Sequence, residues 1–282
     1  MGDFFAWFTM NKEVQVTNMR VRAMAEEGLL INEIATASDT HWDNEATAAQ
    51  TAGNPSILYP ASTSTGTTWY HAASKKSYSA AAATAGTAST DLVDAYETLP
   101  ALTAITSMSE SATAGTKAAR STMGRSADAD AGYYVHYTYY LKASSAEAIT
   151  LGTASGAMNV NIKSITATPT VNNGSGSAAL DSSLRVGIFM KSSGTFYIYA
   201  PVTGFTATYY VNASSSATTA VAGNTVTVTD LTSLPGVGSD GTPVEVYLWY
   251  EGEDLNCKSD NALATTLDDI NVDIVFELKE NP

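Results

Sequence analysis

Carboxylate side chains stand close together in two stretches of the chain. One is DADAG, with Asp128 and Asp130, and the other is WYEGEDLNCKSD, with Glu251, Glu253 and Asp254. Calcium takes several oxygen ligands, and alternating carboxylates are one way in which a loop supplies them. Both stretches are therefore candidate calcium sites. Because neither stretch provides a full ligand set, we favour solvated acidic loops as the simpler interpretation.

The residues that could act in catalysis do not form a recognisable set. The histidines are His41, His71 and His136, and no two of them have the spacing of a metal site. A histidine without a positioned partner is a poor acid–base catalyst. The stretch GVGSDG (236–241) matches Gly-x-Gly-x-x-Gly, but a strand pattern follows it where a phosphate-binding turn needs a helix. We predict that the protein is not an enzyme, with glycoside hydrolysis as the one class left open because acidic residues are many.

Three aromatic residues lie in loop-like stretches and could stack on sugar rings. They are Trp42, Trp69 and Tyr70. A cell-surface adhesin or carbohydrate-binding module would place such side chains in loops at the end of its fold. The favoured alternative is that they cover the edges of the protein's own core.

Composition and charge exclude several classes of partner. The chain has 282 residues, of which only 15% are charged, and its formal net charge is −14. Nucleic acids and anionic membrane surfaces both attract basic proteins, so we expect neither as a partner. The sequence contains no apolar run long enough to span a membrane. Its one cysteine, Cys257, permits no intrachain disulfide and is expected to be a buried, inert thiol.

Alternation of apolar and polar residues predicts mostly β-strands. It is clearest in INVDIVFEL (270–278) and recurs in YYVHYTYYL (133–141), LRVGIFM (184–190) and VEVYLWY (244–250). The stretches LRVGIFM and GTFYIYAP are separated by Ser-Ser-Gly and predict a hairpin. Only residues 92–99 have helical spacing, with Pro100 after them, so one short helix is expected.

These elements predict an all-β protein with an antiparallel β-sandwich of jelly-roll type. Residues 14–282 are expected to form a single domain, with a long Ala/Ser/Thr-rich insertion at about 35–130. Residues 1–13 form a separate hydrophobic segment.

The N-terminal segment is apolar on both faces of an extended strand. Phe4, Ala6, Phe8 and Met10 share one face, and Phe5 and Trp7 lie on the other. A strand of this kind must be covered on both sides. It could complete the sheet of a neighbouring molecule, or it could be the first core strand of its own domain.

Segments at both ends resemble a known group of bacterial proteins. FAWFTMNKEVQVTNMRVRAMAEEGLLI near the start and VYLWYEGEDLNC near the end are similar to secreted Firmicutes surface proteins that depend on the SipW signal peptidase. More distantly, the chain resembles TasA-type fibre subunits and camelysin-like proteins. The resemblance implies a jelly-roll fold and polymerisation by donor-strand exchange, with residues 4–16 as the donor.

We therefore expect a secreted structural subunit of a surface or biofilm-matrix fibre, with other copies of the chain as its partners. Other cell-surface proteins or glycans are the partners expected if the chain is instead an adhesin. No cofactor is expected apart from the candidate calcium ion.

Overall fold

The fold was obtained as a computed structural model. It describes residues 14–15, 19–49, 57–58, 60–72, 102–104, 108–109, 120–121, 131–152, 154–169, 182–190, 195–202, 221–222, 226–228, 231–252, 254, 257 and 270–282.

The regular structure of these residues consists of β-strands without a helix. The strands are β1 Val14–Gln15, β2 Met19–Ala25, β3 Leu29–Asn32, β4 Glu45–Ala49, β5 Ile57–Leu58, β6 Ser62–Thr63, β7 Trp69–Ala72, β8 Leu102–Ala104, β9 Met108–Ser109, β10 Arg120–Ser121, β11 Ala131–Gly132, β12 Val135–Ala143, β13 Ile149–Thr150, β14 Met158–Pro169, β15 Leu184–Met190, β16 Thr195–Ala200, β17 Val221–Ala222, β18 Val226–Val228, β19 Ser233–Leu234, β20 Thr242–Tyr250 and β21 Ile270–Glu280. In this part of the chain no helix is long and apolar enough to cross a membrane.

Two large sheets form the body of the described fold. One has six strands in the order β17-β16-β15-β20-β12-β3, and the other has five in the order β18-β14-β21-β2-β4. The chain crosses between the sheets several times, so that strands distant in sequence become neighbours. The two sheets together form a β-sandwich.

The main hydrophobic core lies between these two sheets. Alternate residues of β21 and β12, such as Ile274, Phe276, Tyr137 and Tyr139, are fully buried in it. The Tyr139 hydroxyl donates a 2.8 Å hydrogen bond to the carbonyl of Val21 in the opposite sheet. Burial of each large apolar side chain contributes about 1.5–3 kcal/mol, so this interface provides most of the driving force for folding.

A second buried cluster covers the outer face of the six-stranded sheet. It contains Phe196 and Ile198 of β16, Tyr247 and Trp249 of β20, and Trp69 of β7. The rings of Trp69 and Trp249 meet edge to face with centroids 5.3 Å apart. The six-stranded sheet is therefore buried on both faces over part of its area, which explains why β20 is apolar at consecutive positions.

Short segments connect the edges of the two sheets on both sides. On one side, Ile31 of β3 and Asp43 exchange backbone hydrogen bonds of 2.7 and 3.2 Å, and the chain then continues into β4 of the other sheet. On the other side, β17 pairs with β16, and β18, which begins after three intervening residues, pairs with β14. Short edge strands of this kind limit unwanted pairing with other chains.

Strand β2 runs parallel to its neighbour β21, although the sequence predicts an antiparallel sandwich. The pairs β5–β11 and β16–β17 are parallel as well. The register of β2 and β21 places Arg22 beside Asp273, and the guanidinium donates two hydrogen bonds of 2.8 and 2.9 Å to the carboxylate. A bidentate pair of this geometry stabilises the register of the two strands and also pairs the two opposite charges.

The predicted fold class is confirmed, since the described chain is an all-β sandwich. The alternating stretches at 133–141, 184–190, 244–250 and 270–278 lie in β12, β15, β20 and β21, and β15 and β16 form the predicted hairpin. The predicted helix at residues 92–99 lies outside the described residues. The division into residues 1–13 and 14–282 stays a prediction.

A glycine in β15 makes the outer cluster possible. A Cβ atom on Gly187 would lie 2.2 Å from Cζ of Phe196 and 2.9 Å from Cζ3 of Trp249. Overpacking of this kind costs about 1–3 kcal/mol, so we expect Gly187→Ala to lower the free energy of unfolding in urea by that amount. The matched control is Gly152→Ala, whose Cβ would meet its nearest atom at 3.7 Å. Equal midpoints for the two variants would contradict the tight packing of Phe196 on β15.

Candidate functional site

The loop between β3 and β4 folds over the outer face of the six-stranded sheet near its β3 edge. Gly241 N donates a 2.9 Å hydrogen bond to the carbonyl of Ala35, and Ala37 N donates one of 2.8 Å to Asp240 Oδ1. These bonds attach the loop to the residues that precede β20. We call the residues brought together here the Trp42 corner, namely Asn32, Asp39, His41, Trp42, Tyr140, Lys142, Asp240 and Gly241.

Trp42 lies at the centre of this corner. Its Nε1–H donates a 3.1 Å hydrogen bond to the carbonyl of Thr36, which fixes the ring. A Cβ atom on Gly241 would lie 2.4 Å from Cη2 of Trp42 and 2.7 Å from Cβ of Tyr140. Only glycine therefore allows the ring to approach the sheet this closely.

Beneath the loop lies a buried lysine. Lys142 is 2% exposed, and its ammonium nitrogen is 3.8 Å from the centroid of the Trp42 ring. Lysine is almost never buried without a compensating interaction, and the face of a tryptophan ring provides one. Burial lowers the pKa of Lys142, while the charges of Asp240 and Asp39 act in the opposite direction.

A carboxamide and a carboxylate are joined next to this lysine. Asn32, which is 4% exposed, donates a 3.0 Å hydrogen bond from Nδ2 to Asp39 Oδ1. The same oxygen accepts a 2.8 Å bond from His41 N and lies 2.8 Å from His41 Nδ1. The pKa of Asp39 is lowered, first by the backbone N–H of His41 and then by the Asn32 side chain, so Asp39 is held as a carboxylate.

Strand register places Asn32 and Lys142 on one face of the sheet. Asn32 of β3 stands opposite Tyr140 of β12, and Lys142 follows Tyr140 by two residues. Because successive side chains point to opposite faces, Tyr140, Lys142 and Asn32 share the outer face. Asn32 and Lys142 are therefore diagonal neighbours across the β3–β12 pair.

The three aromatic residues predicted to bind sugars do not lie together. Trp42 contacts Gly241, whereas Trp69 stacks on Tyr134 with centroids 4.2 Å apart and meets Trp249 edge-on. Gly241 and Trp249 are eight residues apart in the β20 segment, roughly 26 Å for an extended chain. Trp69 is 3% exposed and belongs to the outer core cluster, while Tyr70 is half-buried in β7.

Two of the candidate calcium ligands are buried in an ion-pair cluster. Asp254 Oδ2 lies 2.7 Å from Nη2 of Arg185, and both side chains are inaccessible to solvent. Arg185 also donates hydrogen bonds of 2.7 and 2.9 Å to the carbonyls of Ser182 and Leu184. Glu251 is fully buried and accepts a 3.1 Å hydrogen bond from Trp249 Nε1. The expectation of a solvated acidic loop does not fit Glu251 or Asp254, which anchor the segment after β20 to β15.

The remaining predicted site residues lie outside the described residues. They are Phe4, Phe5, Ala6, Trp7, Phe8 and Met10 of the N-terminal segment, and Asp128, Asp130 and Glu253 of the acidic stretches. Within the described residues, no group of three or more histidine, cysteine or acidic side chains is arranged to hold a metal ion.

Cys257 lies at the edge of the ion-pair cluster. Its thiol is buried, and burial raises its pKa to about 12. At pH 8 about one thiol in ten thousand would then be ionised, so we expect no reaction with a thiol reagent unless the protein is unfolded. Because the unfolded thiol ionises at lower pH than the folded one, this group should also reduce stability as pH rises from about 9 to 12. Rapid labelling of the native protein at pH 8 would contradict this burial.

Comparison with known proteins gave no match to a protein-family model, a curated protein or a solved structure.

Sequence reasoning identified Trp42 but missed the polar residues around it. Lys142 directly follows the alternating stretch 133–141 and occupies a position expected to face solvent. Asn32 and Asp39 belong to no motif. The one available signal was their proximity to Trp42 in the sequence, and nothing local indicates that this loop folds onto β12.

Proposed function

We propose that the chain is a secreted structural subunit of a bacterial surface or biofilm-matrix fibre, without catalytic activity. Copies of the chain would assemble through residues 4–10 of one molecule, which would pack against the sheet of the next. The apolar character of both faces of this segment and its resemblance to SipW-dependent, TasA-like proteins support the proposal.

The observation that carries the proposal is how the chain enters the fold after this segment. Strand β1 pairs with β5 in a small sheet, whereas β2 lies inside the five-stranded sheet between β21 and β4. The two strands therefore belong to different sheets, although three residues separate them. The first described strand after residues 4–10 therefore belongs to the small sheet of β1, β5 and β11 and not to the sandwich, which supports a use of the segment in assembly.

The reactive groups in the described core support a structural role. The Arg185–Asp254 pair is enclosed and holds two segments of backbone together. The Cys257 thiol has a pKa raised to about 12 by burial and is a poor nucleophile. These groups contribute to the shape of the subunit and have no access to a substrate in solution.

Electron microscopy of the purified full chain, with and without residues 4–10, tests the proposal. We expect filaments from the full chain and dispersed particles from the shortened chain, because a head-to-tail contact that does not close produces a filament. Circular dichroism of both proteins provides the control for folding. If the full-length protein is dispersed and the shortened protein unfolds less cooperatively than it does, the segment belongs to the molecule's own core.

A further inference from the structure

We propose that the Lys142 Nζ amine reacts with the side-chain carboxamide of Asn32 to form an amide bond that links β12 covalently to β3. The Trp42 corner would then be the site of a self-catalysed intramolecular cross-link.

The strand register brings the two groups within reach. Asn32 and Lys142 are diagonal neighbours on the outer face of an antiparallel pair. Diagonal neighbours have Cβ atoms roughly 7–8 Å apart or less, a separation that long side chains can span. The backbone pairing of β3 with β12 therefore places the lysine and the asparagine on adjacent strands of the same face.

Desolvation of Lys142 favours the neutral, nucleophilic amine, while the face of the Trp42 ring stabilises the ammonium form. The side chain is 2% exposed, and the Trp42 ring covers its nitrogen at 3.8 Å. Lysine becomes a nucleophile when it is desolvated, because the charged form loses its hydration. Burial lowers the pKa of Lys142 and is the largest influence on it, although the charges of Asp240 and Asp39 act in the opposite direction.

Asp39 is bonded to the carboxamide and would transfer the proton that the reaction must move. Its Oδ1 accepts a 3.0 Å hydrogen bond from Nδ2 of Asn32, the nitrogen that would leave. Hydrogen bonds from His41 hold Asp39 in its carboxylate form. The charge of Asp39 also acts on Lys142, and a carboxylate that reaches both groups would pass a proton from the attacking amine to the leaving nitrogen.

The reaction balances without an added reagent. The Nζ lone pair of the neutral lysine attacks Cγ of Asn32, and a C–N bond forms. One proton passes from Nζ to Nδ2 through Asp39, the Cγ–Nδ2 bond breaks, and ammonia leaves. The product is an amide, and no atom is oxidised or reduced.

The bond would join the edge strand of the six-stranded sheet to its neighbour. Strand β3 follows β2 after a short turn and lies in the other sheet, and β2 is the first strand of the sandwich after the N-terminal segment. Tension applied at the N-terminus would therefore reach the cross-link after β2. This last consequence rests on the proposed function, whereas the bond itself does not.

Intact-mass spectrometry of the purified full chain tests the proposal. We expect a mass about 17 Da below that of the sequence, corresponding to loss of ammonia, and a branched peptide that joins Asn32 to Lys142 after proteolysis. Lys142→Arg keeps the positive charge beside Trp42 but cannot form the bond, so its mass should be that of the sequence. Asp39→Asn should likewise give the full mass.

Two controls separate this reaction from other losses of ammonia. Lys163→Arg alters an exposed lysine that pairs with Glu26. This variant should keep the loss of one ammonia, about 17 Da. Asn173-Gly174 could lose ammonia by forming a cyclic imide, but that product hydrolyses at alkaline pH, whereas the cross-link persists. A full-mass wild-type protein, or a loss that remains in Lys142→Arg, would overturn the proposal. The branched peptide from the wild type decides the question even if a variant fails to fold.

Discussion

Replacing Arg185 with methionine is expected to lower the free energy of unfolding by about 3–5 kcal/mol. The guanidinium and the Asp254 carboxylate are 2.7 Å apart and both side chains are inaccessible to solvent. Methionine fills a similar space without charge, so the variant keeps Asp254 buried but removes the guanidinium beside it. The same change removes two hydrogen bonds to the carbonyls of Ser182 and Leu184. Urea unfolding followed by tryptophan fluorescence measures the effect.

An exposed ion pair provides the matched control for this substitution. Lys163 and Glu26 have side chains that are 48% and 42% exposed, and exposed pairs contribute little to stability. Lys163→Met should therefore leave the unfolding midpoint almost unchanged. A double variant with apolar residues at 185 and 254 should recover much of the loss, because a buried ion pair can be replaced by well-packed apolar groups. Equal midpoints for Arg185→Met and the wild type would show that the cluster does not anchor the segment after β20.

Placing a charge in the N-terminal segment should abolish assembly. Phe8 lies in the middle of the stretch that is apolar on both faces, and Phe8→Asp would require a buried carboxylate in any assembly that covers it. We expect the wild type to form filaments and the variant to remain dispersed in sedimentation velocity and electron microscopy. The unfolding midpoint of the dispersed variant should match that of wild-type monomers.

Asn11→Asp is the control, since it adds the same charge just beyond the apolar stretch. It should assemble like the wild type. If Phe8→Asp lowers the unfolding midpoint and leaves assembly unchanged, the segment packs in its own domain.

Regular alternation made much of the fold predictable. In β21, Val272, Ile274 and Phe276 are buried and alternate with less buried residues, as the sequence indicated. Strand β14 was not predicted, although it pairs with β21 along its whole length. The register shifts between Ile162 and Ser164, so the buried residues change parity at a bulge and the period of two is interrupted.

The polar sites were less predictable, because long-range contacts decide whether a charged side chain is buried. Arg185 and Lys142 occupy positions on the outer face of the six-stranded sheet where solvent exposure is the usual expectation. They are buried because distant segments cover them: residue 254 lies beside Arg185, and the loop that carries Trp42 lies over Lys142. No local signal marks the residues that a distant segment will cover, and a single sequence does not show which loop reaches which strand.

The proposed function requires that residues 4–10 pack against another copy of the chain. A photoreactive phenylalanine analogue at position 8 of a tagged full chain, mixed with an untagged chain that lacks residues 4–10, tests it most directly. The proposed function predicts a cross-linked species with the mass of two chains, whose linked peptide comes from the untagged partner. Cross-links confined to the tagged chain itself, with no two-chain species at any mixing ratio, would contradict it.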